Sequence, residues 1–262
     1  MRLKEKFNQL KKKGKKAFIA YIPFGFPDIK STKGICLALQ EAGADIIEVG
    51  IPFSDPLADG PIIQQATTVA LNKGATISMI FEAMEKLKKS LKIPVMLMSY
   101  YNPILQFGRE RFFGRMKKAG IGAVTIVDLP VEESLEYKKT AEKFDIDTIF
   151  FVTPVTPSKR ISKIAKASRG FIYYVSVTGI TGPRDFNYSS LKKHIDILKK
   201  KTSLPVCVGF GIHTKKQVKV ISSFSDGVIV GSEIVSFIAA NHSKNDFLKK
   251  LKKQILSLKG DG

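Results

Sequence analysis

Two carboxylates raise the first chemical question. Glu48 stands inside the apolar run Ile46-Ile47-Glu48-Val49-Gly50-Ile51, and Asp59 follows in a segment of turn formers that includes Pro52, Asp55, Pro56, Gly60 and Pro61. A strand that is to be buried should not carry a lone glutamate unless something uses it, because an unpaired buried charge is costly. A strand-end carboxylate beside a loop carboxylate suits proton transfer at two points on one substrate. The plainer alternatives are a glutamate paired with a lysine at the strand end, and an aspartate before glycine that only shapes a turn.

A second constellation lies in the last third. It comprises Thr178-Gly179-Ile180-Thr181-Gly182-Pro183, then Gly209-Phe210-Gly211-Ile212, then Gly231-Ser232 opening a helical stretch. Glycines let backbone N–H groups approach phosphate oxygens, and a helix N-terminus adds partial positive charge. Any one of these glycines reads as a turn residue; three such loops in this order point to a phosphate cradle. Aromatic residues fall at predicted strand ends: Tyr21, Tyr100, Phe151, Tyr173 and Phe210. Core packing accounts for some of them. With two acids and a phosphate cradle, they describe a ligand with one aromatic and one phosphorylated end.

The elements that must position these groups alternate along the whole chain. Strands are predicted at 17–22, 45–51, 94–99, 123–128, 147–152, 171–176, 205–209 and 227–230. Most are nearly continuous apolar runs, the mark of strands covered on both faces. Helical patterns occupy 31–43, 77–91, 109–119, 132–144, 157–168, 187–200, 215–224 and 232–240, with Gly43 and Gly120 as stop signals. Eight βα units in 262 residues predict an α/β fold, a single (β/α)8 barrel domain over 1–262 with extra helices at 1–13 and 246–258. A doubly wound open sheet is the rival, but it carries a glycine-rich turn after its first strand, and here that turn reads Pro23-Phe24-Gly25-Phe26-Pro27-Asp28. Barrel enzymes place their chemistry at the C-terminal strand ends. Glu48 is therefore expected to point into the barrel mouth, where low dielectric disfavours its charged form.

Composition narrows the class. No window reaches the roughly 18 uncharged apolar residues of a membrane span, and Met1-Arg2-Leu3-Lys4-Glu5-Lys6 leads into no apolar signal core. Cys36 and Cys207 show no paired spacing and read as reduced, buried thiols of a cytoplasmic protein. His194, His213 and His242 are too scattered for a metal site. The net charge is +20, from 43 Lys+Arg against 23 Asp+Glu, which would attract polyanions nonspecifically. The lysines cluster at 11–16, 86–92, 192–201 and 249–253, within or beside amphipathic helical patterns and without a nucleic-acid-binding motif. They read as solvated helix faces, with neither nucleic acid nor membrane as partner.

The run from Glu48 to Pro61 closely resembles the signature of the tryptophan synthase α subunit family. The likeness extends through Tyr100-Tyr101-Asn102-Pro103, Asp128-Leu129-Pro130-Val131-Glu132-Glu133, Gly179-Ile180-Thr181-Gly182, Gly209-Phe210-Gly211-Ile212 and Gly231-Ser232. It implies a lyase of tryptophan biosynthesis that cleaves indole-3-glycerol phosphate to indole and glyceraldehyde 3-phosphate, with no cofactor of its own. The indole would pass to a pyridoxal-phosphate-dependent β subunit, in a heterotetramer of two α and two β chains. Carried over by motif, Glu48 would be the general acid/base at indole C3 and Asp59 would accept from the indole N–H. Gly182, Gly211, Gly231 and Ser232 would hold phosphate. Tyr21, Tyr100, Phe151, Tyr173, Thr181 and Phe210 would line the pocket, with loops 52–60 and 177–190 closing over it. Pro52, Phe53, Asp55, Asn102 and Pro130 would meet the β partner. Tyr21 stands where phenylalanine is familiar, Val177-Thr178 where an arginine-alanine pair occurs, and the +20 charge is unusual for the family. Another phosphate-binding barrel would usually place a lysine on a strand end, which is not found here. A non-enzymatic activator of the β chain, or a basic scaffold, is the remaining alternative.

Overall fold

The computed structural model describes residues 1–176 and 187–260. Nine strands, all parallel, form one sheet: β1 (Ala17–Pro23), β2 (Ile46–Gly50), β3 (Val95–Ser99), β4 (Ala123–Ile126), β5 (Asp147–Ile149), β6 (Phe151–Val152), β7 (Ile172–Val175), β8 (Val206–Gly209) and β9 (Gly227–Val230). Neighbours follow chain order from β5 back to β1, and β1 then pairs with β9, which leads through β8 and β7 to β6. β5 pairs with β4 while β6 pairs with β7, and only Phe150 separates β5 from β6. The predicted strand 147–152 is thus one barrel strand broken at Phe150, and it joins the two ends of the sheet into a ring. The fold is the (β/α)8 barrel.

Twelve α-helices are described around the ring. Most lie where hydrophobic periodicity puts them, but the second and third βα units each hold one more than expected. Between β2 and β3 stand α3 (Pro61–Asn72) and α4 (Ile77–Leu87). α3 buries Ile63, Ala66, Thr67 and Ala70, which is helical spacing, yet two alanines and a threonine give it little hydrophobic signal. Pro61 at its first turn supplies the start. The short α5 (Tyr101–Phe107) precedes α6 (Arg109–Ala119) and buries only Ile104. Gly43 and Gly120 take φ of 83° and 75° at the ends of α2 (Ser31–Glu41) and α6, the left-handed termination that glycine permits.

Register defines the barrel interior. Tyr21, Glu48, Met96, Ala123 and Asp147 are lateral partners along one row, and Gly50, Met98, Thr125 and Ile149 along the next row on that face. On the other side of the ring Phe151, Tyr173, Cys207 and Gly227 are partners. The N-terminal ends of the strands are closed by α1 (Leu3–Lys12), which buries Leu3, Phe7 and Leu10 and sets Phe7 against Phe171, ring centroids 5.8 Å apart. No described helix is long and apolar enough to cross a membrane.

Candidate active site

At the C-terminal ends of the strands opens a cleft of about 490 Å³, part of it continuous with solvent. Its floor is built by two tyrosines, each lying across a glycine at the end of the next strand. A Cβ on Gly50 would stand 2.3 Å from the Tyr21 hydroxyl, and one on Gly209 would stand 2.6 Å from the Tyr173 ring. Glycine is required at both places because the ring occupies the space of a side chain. A Cβ on Gly231 would also meet the Tyr21 ring, at 3.1 Å. Tyr21 therefore spans the cleft from the glycine of β2 to the glycine that opens α11 (Ser232–Asn241).

Asp59 forms one wall. It sits in the turn before α3, with its backbone carbonyl accepting from Gln64 Nε2 at 2.9 Å. The Tyr100 hydroxyl accepts from the Ala58 N–H at 2.9 Å and donates to the Asp59 carboxylate, so one phenol fixes both the loop and its acid. Burial lifts the Asp59 carboxyl to about 6, the Tyr100 hydrogen bond offsetting part of the rise. Phe53 packs on Tyr100 with centroids 5.2 Å apart, tying the 52–60 loop to the end of β3.

Glu48 is fully buried, and both of its carboxylate oxygens lack a hydrogen-bond partner among the described residues. Pairing with a lysine, the plainer alternative, is not what the described residues show. Burial first, and the Asp59 charge second, raise the Glu48 carboxyl to about 8. At neutral pH it holds its proton and is an acid in waiting. Glu48 is not on the cleft wall; it lies within electrostatic reach of Tyr173 and Tyr21, whose phenols it helps to push up.

The opposite end of the cleft is made of backbone. Gly211, Gly231 and Ser232 line it together with Phe210. Gly211 has φ of 73°, and Phe210 itself takes φ of 68°, a left-handed conformation that costs a bulky residue energy. Gly231 is the N-cap of α11, and no side chain caps that helix. Its first-turn acid, Glu233, accepts from Gln254 at 2.8 Å instead. The uncapped N–H groups are the natural seat for an anion.

The predicted residues thus divide. Tyr21, Asp59, Tyr173, Phe210, Gly211, Gly231 and Ser232 line one cleft. Tyr100 and Glu48 support it from behind, and Phe151 packs on Tyr173 at 4.8 Å between centroids. Thr181 and Gly182, with most of loop 177–190, lie outside the described residues. Pro52, Phe53, Asp55, Asn102 and Pro130 sit on loops or the first turn of α5 around the same barrel end. Sequence reasoning missed Ile63, Met98, Ile212, His213 and Ile229 on the walls. His213 directly follows Gly211-Ile212, a usable signal for its place on the wall. No group of residues suited to hold a metal ion occurs among the described residues.

Comparison with known proteins agrees with this geometry. Residues 7–260 match the family model described as tryptophan synthase alpha chain. The tryptophan synthase alpha chain of a Thermoanaerobacter species is 43% identical over 258 residues, 98% of each chain. That of Geobacter sulfurreducens is 43% identical over 229 residues, 87% of each chain. Among solved structures, tryptophan synthase subunit alpha from Legionella pneumophila superposes with a TM-score of 0.91 at 32% identity, covering 98% of this chain and 96% of its own. Tryptophan synthase from M. tuberculosis gives 0.88 at 31% identity, covering 98% of both chains. With the Asp59 carboxyl on the cleft wall, the Glu48 carboxyl buried within its electrostatic reach, glycine loops lining the same cleft, and these likenesses over nearly its full length, the chain belongs to the tryptophan synthase alpha chain family.

Proposed function

We propose that the chain cleaves indole-3-glycerol phosphate by a retro-aldol reaction, giving indole and glyceraldehyde 3-phosphate. The observation that carries this reading is the placing of two buried acids, Glu48 holding its proton and Asp59 charged at neutral pH, beside a cleft whose far end is an uncapped helix N-terminus. The phosphate seats on Gly211, Gly231 and Ser232, and the indole lies over Tyr21 and Tyr173 toward Asp59. Glu48, protonated at neutral pH, gives its proton to indole C3 and makes that carbon tetrahedral. The Asp59 carboxylate accepts from the indole N–H and stabilises the cation so formed. The C3–C3′ bond then breaks, its electron pair returns to the ring, and the side-chain hydroxyl becomes the aldehyde by giving its proton to the Glu48 carboxylate. Glu48 ends as it began, so the acid/base cycle is closed. Because Glu48 is not on the cleft wall, its side chain must rotate to reach C3.

The β subunit of tryptophan synthase is the partner, and pyridoxal phosphate belongs to that subunit. Pro52, Phe53, Asp55, Asn102 and Pro130 form the docking rim. The test is indole release from indole-3-glycerol phosphate by the complex. Wild type releases indole, and Asp59→Asn is expected to lose about 100-fold or more in kcat/KM. No release by wild type in the complex would favour a chain that only activates its partner.

A further inference from the structure

The lysine run at 11–16 takes no part in the cleft. It lies at the other end of the barrel, where α1 and the feet of the strands enclose an open groove of about 2100 Å³. One wall is α1. Lys4, Asn8 and Lys11 follow spacings of four and three residues, a single stripe along the helix, and Lys15 lines the same groove just past the helix end, while Leu3, Phe7 and Leu10 are buried toward the barrel. The facing wall is formed by Ser168-Arg169-Gly170 before β7, by 202–205 before β8, and by Asp226 before β9. Seven cationic side chains line the groove against three carboxylates.

The three acids are already engaged. Glu5 accepts from the Arg2 backbone N–H at 3.1 Å. Asp147 lies 3.8 Å from Arg2 and 3.4 Å from Arg169. Asp226 is shared by Lys16 at 3.7 Å and Lys199 at 2.9 Å. Lys4, Lys11 and Lys15 face the groove with no acidic partner among the described residues. A solvated helix face would spread its charge over open surface; this one aims a line of unmatched ammonium groups into a concave space, which focuses the positive field.

We propose that this groove binds a linear oligophosphate, a chain of three or more phosphates lying along α1. Length favours a chain over a single anion: the stripe from Lys4 to Lys11 runs about 10 Å along the helix axis. Lining chemistry disfavours a nucleic acid. The one aromatic residue on the walls is Phe7, which is 7% exposed and packed on Phe171, so no platform exists for stacking bases.

The experiment is calorimetric titration of the full chain with tripolyphosphate, inorganic phosphate and a single-stranded oligonucleotide at matched ionic strength. The wild type is set beside Lys4→Gln/Lys11→Gln/Lys15→Gln. These three side chains are exposed and make no ion pair, and the melting temperature and indole release of the variant provide the folding control. Tripolyphosphate is expected to bind the wild type at least tenfold more tightly than inorganic phosphate, to weaken as salt rises, and to lose about tenfold or more in the triple variant. Undiminished binding in that variant would place the anion elsewhere, the catalytic cleft included, and overturn the proposal. Tighter binding of the oligonucleotide would overturn the class of ligand.

Discussion

At the scale of single residues, the site rests on two carboxyls held above their ordinary values by burial, and both make the chain sensitive to pH. Between about 4.5 and about 8 the folded chain keeps a Glu48 proton that the unfolded chain has released. Stability must therefore fall as pH rises through that window, by about 1.4 kcal/mol per pH unit while this group dominates. Glu48→Gln removes this share of the dependence and leaves the smaller one that Asp59 contributes below about 6. Denaturant unfolding should find the variant more stable than wild type at pH 8 and nearly equal to it at pH 4. Activity has the opposite pattern on its acid side. Asp59 must be charged and Glu48 protonated, so kcat/KM should be bell-shaped, with limbs near 6 and near 8 that belong to the coupled pair. A profile flat from pH 5 to 9 would contradict the assignment. The sequence showed both acids because each is out of place in its local context. It could not show that Tyr100 holds Asp59 and Ala58 together, since that contact crosses 42 residues.

At the scale of elements, the cleft depends on strand-end glycines that make room for rings. Gly50→Ala would set a methyl group against the Tyr21 hydroxyl, and overpacking of this kind costs about 1–3 kcal/mol. The loss should be partly relieved in Gly50→Ala/Tyr21→Phe, as a double-mutant cycle of thermal unfolding will show. Phe210 supplies a second case. Glycine there would relieve its left-handed backbone by about 1–2 kcal/mol but strip an aromatic wall, so Phe210→Gly is expected to raise KM while losing less stability than a buried phenylalanine usually costs. Strand order and most helices were legible from apolar runs and helical spacing. α3 was not, because alanine and threonine bury little apolar area. Neither was the break at Phe150, because an uninterrupted apolar run does not reveal which residue leaves the ladder.

At the scale of the molecule, the two ends of the barrel carry different chemistry: an acid-bearing cleft at one and a cationic groove at the other. The +20 charge should also govern assembly. A β subunit fitted to this surface is expected to present complementary acidic groups, and the affinity of the complex to fall steeply between low and high salt. An affinity independent of salt, read by analytical ultracentrifugation or light scattering, would place the contact on neutral surface instead. The charge was plain in the composition. Its division into paired residues and an unmatched stripe required the fold, because partners such as Lys199 and Asp226 come together only when β8 and β9 pair.

In the proposed reaction Glu48 supplies the proton that reaches indole C3. The most direct measurement is single-turnover indole formation from indole-3-glycerol phosphate by the complex of Glu48→Gln with the β subunit. A fall of about 1000-fold in the rate is expected, with substrate affinity within about threefold of wild type. Indole formation at the wild-type rate would remove Glu48 from the reaction.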